Sequence, residues 1–226
     1  MKQNYLNERF VVNDKLREIE VPSSAVATEI VEIPLNNGNE FKNRVINLFG
    51  PFNEQTISEI MKQCLKWEEE DAEILYKHSQ QIRQLQDPTQ LLKPIILNIN
   101  SPGGEVHQLM GLVDLLESMD APVITRGYGE LCSCGFVLFC IGDERYIGKN
   151  ASLMYHELSY GIWGKDSEVK NYHKNAEKLQ KKLDRIINAK TGVKLKTLKA
   201  WREAVHDKWI EPKEAVELGI ATDYLY

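Results

Sequence analysis

A chain of 226 residues with 42% hydrophobic and 27% charged side chains has the balance of a globular domain. Its 14 Gly and 8 Pro are too few for a collagen-like or low-complexity polymer. The formal charge of −5 comes from 28 basic residues scattered among 33 acidic ones, which argues against a nucleic-acid face. No apolar run approaches the ~20 residues of a membrane span, and the opening MKQNYLNERF has no signal-peptide core. The expectation is one soluble, cytoplasmic domain. Cys64, Cys132, Cys134 and Cys140 provide no second ligand cluster at zinc spacing, so no metal and no cofactor is expected.

Residues 1–43 are polar and irregular, with Pro22, Pro34 and an Asn36-Asn37-Gly38 turn signal. Arg44–Gly50 reads as a strand, and Asn53 caps a helix with apolar residues at 57, 60, 61, 64 and 65. Residues 72–93 are Gln-rich and read as a helical excursion broken near Pro88. Pro94–Asn100 is a buried strand, followed by Ser101-Pro102-Gly103-Gly104 and a helix with Val106, Leu109, Met110, Val113 and Leu116 on one face. Pro122–Gly129 reads as a strand, Ser133–Ile141 as an apolar helix, and 145–147 and 152–156 as short strands. The longest helix, 167–190, carries apolar residues at 169, 172, 176, 179, 183, 186 and 187, a stripe that can pack on its own domain or on another subunit. Two short helices follow Gly192, with Pro212 near the start of the second and Gly219 past its end. Repeated strand–helix units predict an α/β fold with a mainly parallel sheet.

Two loops join predicted strands to predicted helices, where open α/β sheets place ligands. In 100–104 the paired glycines allow a sharp turn that presents bare N–H groups; a tight turn with no further role is the simpler reading. A P-loop would want more glycines and a lysine. In 127–135, Ser133 stands where the apolar helix begins. A serine there is usually an N-cap, yet a tetrahedral oxyanion would also be stabilised by the unpaired amides. Cys132 and Cys134 remain alternative nucleophiles. Of the five histidines, His107 follows the glycine turn, and His156 ends a short strand that would project it into the crevice. Composition and spacing do not choose the acid that would orient such a histidine.

The runs Ile99-Asn100-Ser101-Pro102-Gly103-Gly104, Gly129-x-x-x-Ser133-x-Gly135 and Met154-Tyr155-His156, with Asp207-Lys208-Trp209 and Glu214-Ala215-Val216-Glu217-x-Gly219, together resemble the proteolytic subunit of the Clp protease. The resemblance covers about residues 44–226 in order. It implies a ClpP/crotonase-like fold of repeated β-β-α units with a long protruding handle helix, here 167–190. It implies Ser133 as nucleophile, His156 as base and Asp207 as orienting acid, with the Gly104 and Cys134 amides as oxyanion hole. It also implies a ring-forming homo-oligomer of stacked rings that encloses the sites and cuts unfolded polypeptide, and it leaves an AAA+ unfoldase open as partner. Charges at Leu179 and Leu183 would then be expected to split the assembly.

The chain departs from the family pattern in a longer 72–93 segment, an N-terminal 1–43 of axial-loop or propeptide character, and Cys132/Cys134 around the serine. Those departures keep open an ATPase-independent, phage-type maturation protease. A non-catalytic ring subunit and a crotonase-type acyl-CoA enzyme are alternatives of a different class. The Ser/His/Asp set weighs against both.

Overall fold

The structure is a computed structural model and describes residues 44–78, 91–204 and 206–226; the readings made on 1–43 and on 79–90 fall outside them. Alternation of apolar and polar side chains sets the first strands. In β1 (Val45–Phe49) Ile46 and Leu48 are buried while Val45, Asn47 and Phe49 face out. β2 (Ile95–Ser101) buries Ile95, Leu97, Ile99 and Ser101, and β3 (Val123–Cys132) begins in the same rhythm. β4 (Glu144–Ile147) and the two-residue β7 (Asp223–Tyr224) complete a parallel sheet in the order β1-β2-β3-β4-β7. The fold is α/β with a mostly parallel sheet, as expected.

Helix α1 (Glu54–Lys77) starts where the Asn53 side chain accepts from the Thr56 amide at 2.9 Å, satisfying an otherwise unpaired donor of the first turn. It buries Ile57, Ile60, Cys64 and Trp67 and runs unbroken through 72–77, so the start of the expected excursion is the end of this helix. Helix α2 (Val106–Ser118) buries Leu109, Leu112, Val113 and Leu116. Helix α3 (Cys134–Cys140) is buried at every residue, which explains its lack of amphipathic period. Cys64 and Cys140, each 0% exposed, are core residues.

Two differences from the sequence reading place the site. Strand β3 does not stop at Gly129: it bends there, at φ 52, and changes partner. Ile124–Gly127 pair with β4, whereas Glu130–Cys132 pair with the parallel strand β5 (Ser152–Tyr155). The Glu130 amide donates to the Asn100 side chain at 3.0 Å across the bend. Strand β6 (Lys208–Ile210), absent from the sequence reading, lies antiparallel on the far side of β5.

Helix α4 (Asp166–Thr191) ends at Gly192, whose φ of 78 closes the helix in the left-handed region. Its C-terminal half packs on its own domain through Leu183 and Ile187, while Tyr172 in its N-terminal half is 46% exposed. The long stripe therefore splits. Leu183 belongs to the subunit's own core and cannot serve an interface directly. Helices α5 (Leu195–Arg202) and α6 (Pro212–Glu217) close the chain, the latter with Pro212 in its first turn.

Candidate active site

Ser133 is the hinge between β3 and α3. Its amide donates to the Met154 carbonyl at 3.0 Å, continuing the β3–β5 ladder by one residue. Its backbone then turns to φ 55, the only positive φ outside glycine among the described residues. Such a conformation costs about 1–3 kcal/mol and persists only where neighbours over-determine it. Ser133 occupies the cap position, yet its side chain makes no capping bond to α3. The ordinary cap reading therefore does not account for it.

The glycine turn packs directly against this residue. Gly103 has φ +102, and a Cβ placed on it would lie 2.6 Å from the Ser133 Cβ. At Gly104 a Cβ would lie 2.3 Å from the Phe52 carbonyl oxygen. There the chain is fixed by Phe52 N–H donating to Gly103 O and Glu105 N–H donating to Phe52 O, at 2.8 and 2.9 Å. The Gly104 amide lies between these bonds and takes part in neither. Cys134, the first residue of α3, has no helical carbonyl behind it to receive its amide. The Cys134 thiol donates to the Gly104 carbonyl at 3.3 Å, tying the two segments together.

His156 follows the last residue of β5. The β5–β6 ladder pairs Leu153 with Ile210, Met154 with Trp209 and Tyr155 with Lys208; one further step sets His156 opposite Asp207. Gly104, Ser133, Cys134 and His156 line a single cleft, with Val106, Leu109 and Val137 among its apolar walls. The structure thus brings together four of the five sequence-derived site residues. Asp207 stands outside that lining and is exposed. Among the described residues no hydrogen bond joins Ser133, His156 and Asp207 to one another.

The competing residues find other places. Burial, with help from Glu130, pushes the Cys132 thiol up to about 12, and burial pushes Cys134 up to about 11, so neither is a ready thiolate at neutral pH. His107 is exposed on α2 and does not line the cleft. His173 contacts Tyr160 Oη at 2.6 Å, and His78 contacts the Ile74 carbonyl at 2.9 Å. A separate cavity of about 340 Å³ lies near the start of β3, with Asp143 and Lys190 on its wall. No serine, threonine, cysteine or histidine is among the described residues that line it. Among the described residues no cluster of three or more His, Cys, Asp or Glu side chains converges on a metal-sized site. What sequence reasoning missed lies at the cleft wall and behind it, where Tyr155 and Gln180, which line the cleft, form a polar network with Asp184 and Arg202. Its signal was faint: two polar residues one helical turn apart within an apolar stripe.

The family model described as Clp protease matches residues 79–225, more than half of the sequence. The chain belongs to the Clp protease family. Its curated relatives include ATP-dependent Clp protease proteolytic subunit 2 of Treponema denticola, 32% identical over 130 residues that make up 57% of this chain and 64% of the relative. The protein of the same name from Pseudomonas aeruginosa is 31% identical over 129 residues, 56% of this chain and 63% of the relative. That of Treponema pallidum is 27% identical over 135 residues, 59% of this chain and 67% of the relative. The chain thus spans about two thirds of the length of the curated relatives it matches. Within the Clp protease family match fall the glycine turn, Ser133, His156 and Asp207; strand β1 and the whole of α1 precede it.

Proposed function

We propose that this Clp protease family chain is a serine endopeptidase acting on unfolded polypeptide through an acyl-enzyme. The observation that carries the reading is the strained Ser133 at the β3–α3 junction, in one cleft with His156 and with the Gly104 and Cys134 backbone. In this mechanism Ser133 Oγ attacks the scissile carbonyl as His156 takes its proton, and the Gly104 and Cys134 amides hold the developing oxyanion. His156 then gives that proton to the leaving amine, and a water, deprotonated in turn by His156, releases the acyl group. Asp207, reached through the β5–β6 register, holds the imidazole tautomer.

Around this chemistry we place residues 44–226 as one peptidase domain of the repeated β-β-α type, with 72–93 as an insertion and 1–43 as a separate N-terminal segment. Helix α4 is its handle, joining copies of the chain into stacked rings that enclose the cleft. The exposed Tyr172 in its N-terminal half supports that role. The "ATP-dependent" in the relatives' names supports an AAA+ unfoldase as the source of unfolded substrate. No helix among the described residues is long and apolar enough to cross a membrane, in keeping with a cytoplasmic location.

The test is reaction with a fluorophosphonate and mapping of the adduct by mass spectrometry. Modification at Ser133, abolished in Ser133→Ala and strongly slowed in His156→Ala, is expected. A thiol adduct at Cys132 or Cys134 with Ser133 unmodified would overturn the assignment.

A further inference from the structure

The peptidase mechanism leaves without a task a buried polar network whose Tyr155 and Gln180 line the cleft and whose Asp184 lies behind them. Tyr155, Gln180 and Asp184 are at most 6% exposed. The Tyr155 hydroxyl donates to Asp184 Oδ1 at 2.5 Å, and Gln180 Nε2 donates to the same oxygen at 3.0 Å. Arg202 completes the set, donating to Asp184 Oδ2 at 2.8 Å and to Tyr155 Oη at 3.2 Å. A carboxylate only accepts, so Asp184 fixes which way the Gln180 amide faces. Its Oε1 is therefore turned toward the cleft, where it accepts from the Leu158 amide at 2.7 Å.

These bonds converge on the histidine. Tyr155 precedes His156, and its side chain is held to α4. Leu158 follows two residues later, and its main chain is held to α4 by Gln180. The Met154 carbonyl is tied to the Ser133 amide. Three of the five residues 154–158 are thus anchored, and His156 stands in the middle. Stability alone gives no reason for this arrangement: buried ionic networks are often matched or bettered by apolar side chains of similar volume. Position 180 continues a stripe that already holds Ala176, Leu183 and Ile187, so a Met or Leu there would pack.

We propose that Gln180 is a positioning residue for His156. Its amide, oriented by Asp184, fixes the Leu158 main chain and so sets where the imidazole stands relative to Ser133 Oγ. This rests on the reading of His156 as the base. The geometric tolerance is narrow, because proton transfer needs heavy atoms within about 2.6–3.2 Å.

The experiment measures kcat and KM on a short fluorogenic peptide amide, together with fluorophosphonate labelling at Ser133 and thermal melting, for the full chain. Gln180→Met removes the acceptor and keeps the volume. It is expected to lower kcat about tenfold, within the range that sub-ångström misplacement produces, with KM and the melting midpoint little changed. Gln180→Glu keeps an acceptor for the Leu158 amide and, protonated beside Asp184, a donor for that carboxylate; it is expected to recover most of the lost kcat. An unchanged kcat in Gln180→Met, a loss carried by KM, or a kcat loss that Gln180→Glu does not recover would overturn the proposal while leaving the peptidase reading intact. Wild-type protein that neither labels at Ser133 nor cleaves peptide would remove that reading and this proposal with it.

Discussion

Adding one methyl group at Gly103 separates the roles that the glycine turn plays. The residue sits at φ +102, and the new Cβ would lie 2.6 Å from Ser133 Cβ, 3.0 Å from Cys132 O and 3.1 Å from Cys134 N. Carbon atoms in contact prefer about 3.5–4.0 Å, so relief of the first clash requires Ser133 or the turn to move by about 1 Å. Backbone strain at such a φ costs about 1–3 kcal/mol, and overpacking adds about 1–3 kcal/mol. Gly103→Ala is therefore expected to lose several kcal/mol of stability and, by displacing the nucleophile, about 100-fold in rate. Two companions separate the terms. Gly50→Ala meets the strain alone, since φ is +129 and nothing lies within 4 Å of its Cβ; it should lose about 1–3 kcal/mol and keep its activity. Gly161→Ala meets neither strain nor clash and should stay within about 0.5 kcal/mol of wild type. Urea denaturation gives the stabilities, and the fluorophosphonate labelling rate at Ser133 gives the activity. Labelling of Gly103→Ala at the wild-type rate would refute the claimed contact between turn and nucleophile.

The proposed orienting acid has a discriminating pair of variants. Asp207→Asn should lower peptide hydrolysis roughly 10³- to 10⁴-fold through the wrong histidine tautomer. Glu203→Gln, whose carboxylate instead faces Lys199 at 3.5 Å, should leave the rate near wild type, and steady-state kinetics decide between them. Four buried thiols predict loss of stability in alkali. Burial raises Cys64 and Cys134 from 9.0 to about 11 and Cys132 and Cys140 to about 12. The folded state therefore holds these protons more firmly than the unfolded chain. The stabilisation is whole below pH 9 and is lost as pH rises through the folded values. Each thiol contributes a slope of about 1.4 kcal/mol per pH unit in that window, and urea midpoints that stay level from pH 9 to 11 would contradict it. For assembly, Tyr172→Asp should yield smaller, folded species in sedimentation velocity. Leu183→Asp, at a core position only 7% exposed, should unfold the subunit, as circular dichroism would report.

Elements with their own period are legible in the amino-acid sequence alone. The β1 and β2 alternation and the α1 and α2 faces need only side-chain hydrophobicity. Asn53 and Gly192 mark helix ends because a cap and a left-handed residue are local chemistry. Strands β6 and β7, of three and two residues, are too short to carry a period, and the partner strand that defines each lies far away in sequence. The bend in β3 is hidden for a related reason. Gly129 looks like a terminator unless β5 is known to wait beside Glu130–Cys132. Residues 127–135 therefore read as a loop, although most of them are strand.

The candidate site divides along the same line. The glycine turn declares itself through a residue type that permits unusual backbone, and Ser133 stands out at a loop-to-helix junction, although Phe52 and Met154, distant in sequence, fix the backbone of both. The acid does not: physics finds no ground for Asp207 over Glu203 in the sequence, and only the resemblance singles it out. In the structure the ground is the antiparallel register, since a strand fixed by Tyr155 opposite Lys208 leaves Asp207 as the residue opposite His156. Gln180 lies one step further from legibility. Within the 167–190 helix it reads as a polar interruption of the apolar stripe, and its burial depends on Tyr155 and Leu158 from one other segment and Arg202 from a second. In the proposed reading the nucleophile is thus legible from the loop that carries it, the orienting acid needs strand register, and the support behind the base needs tertiary packing.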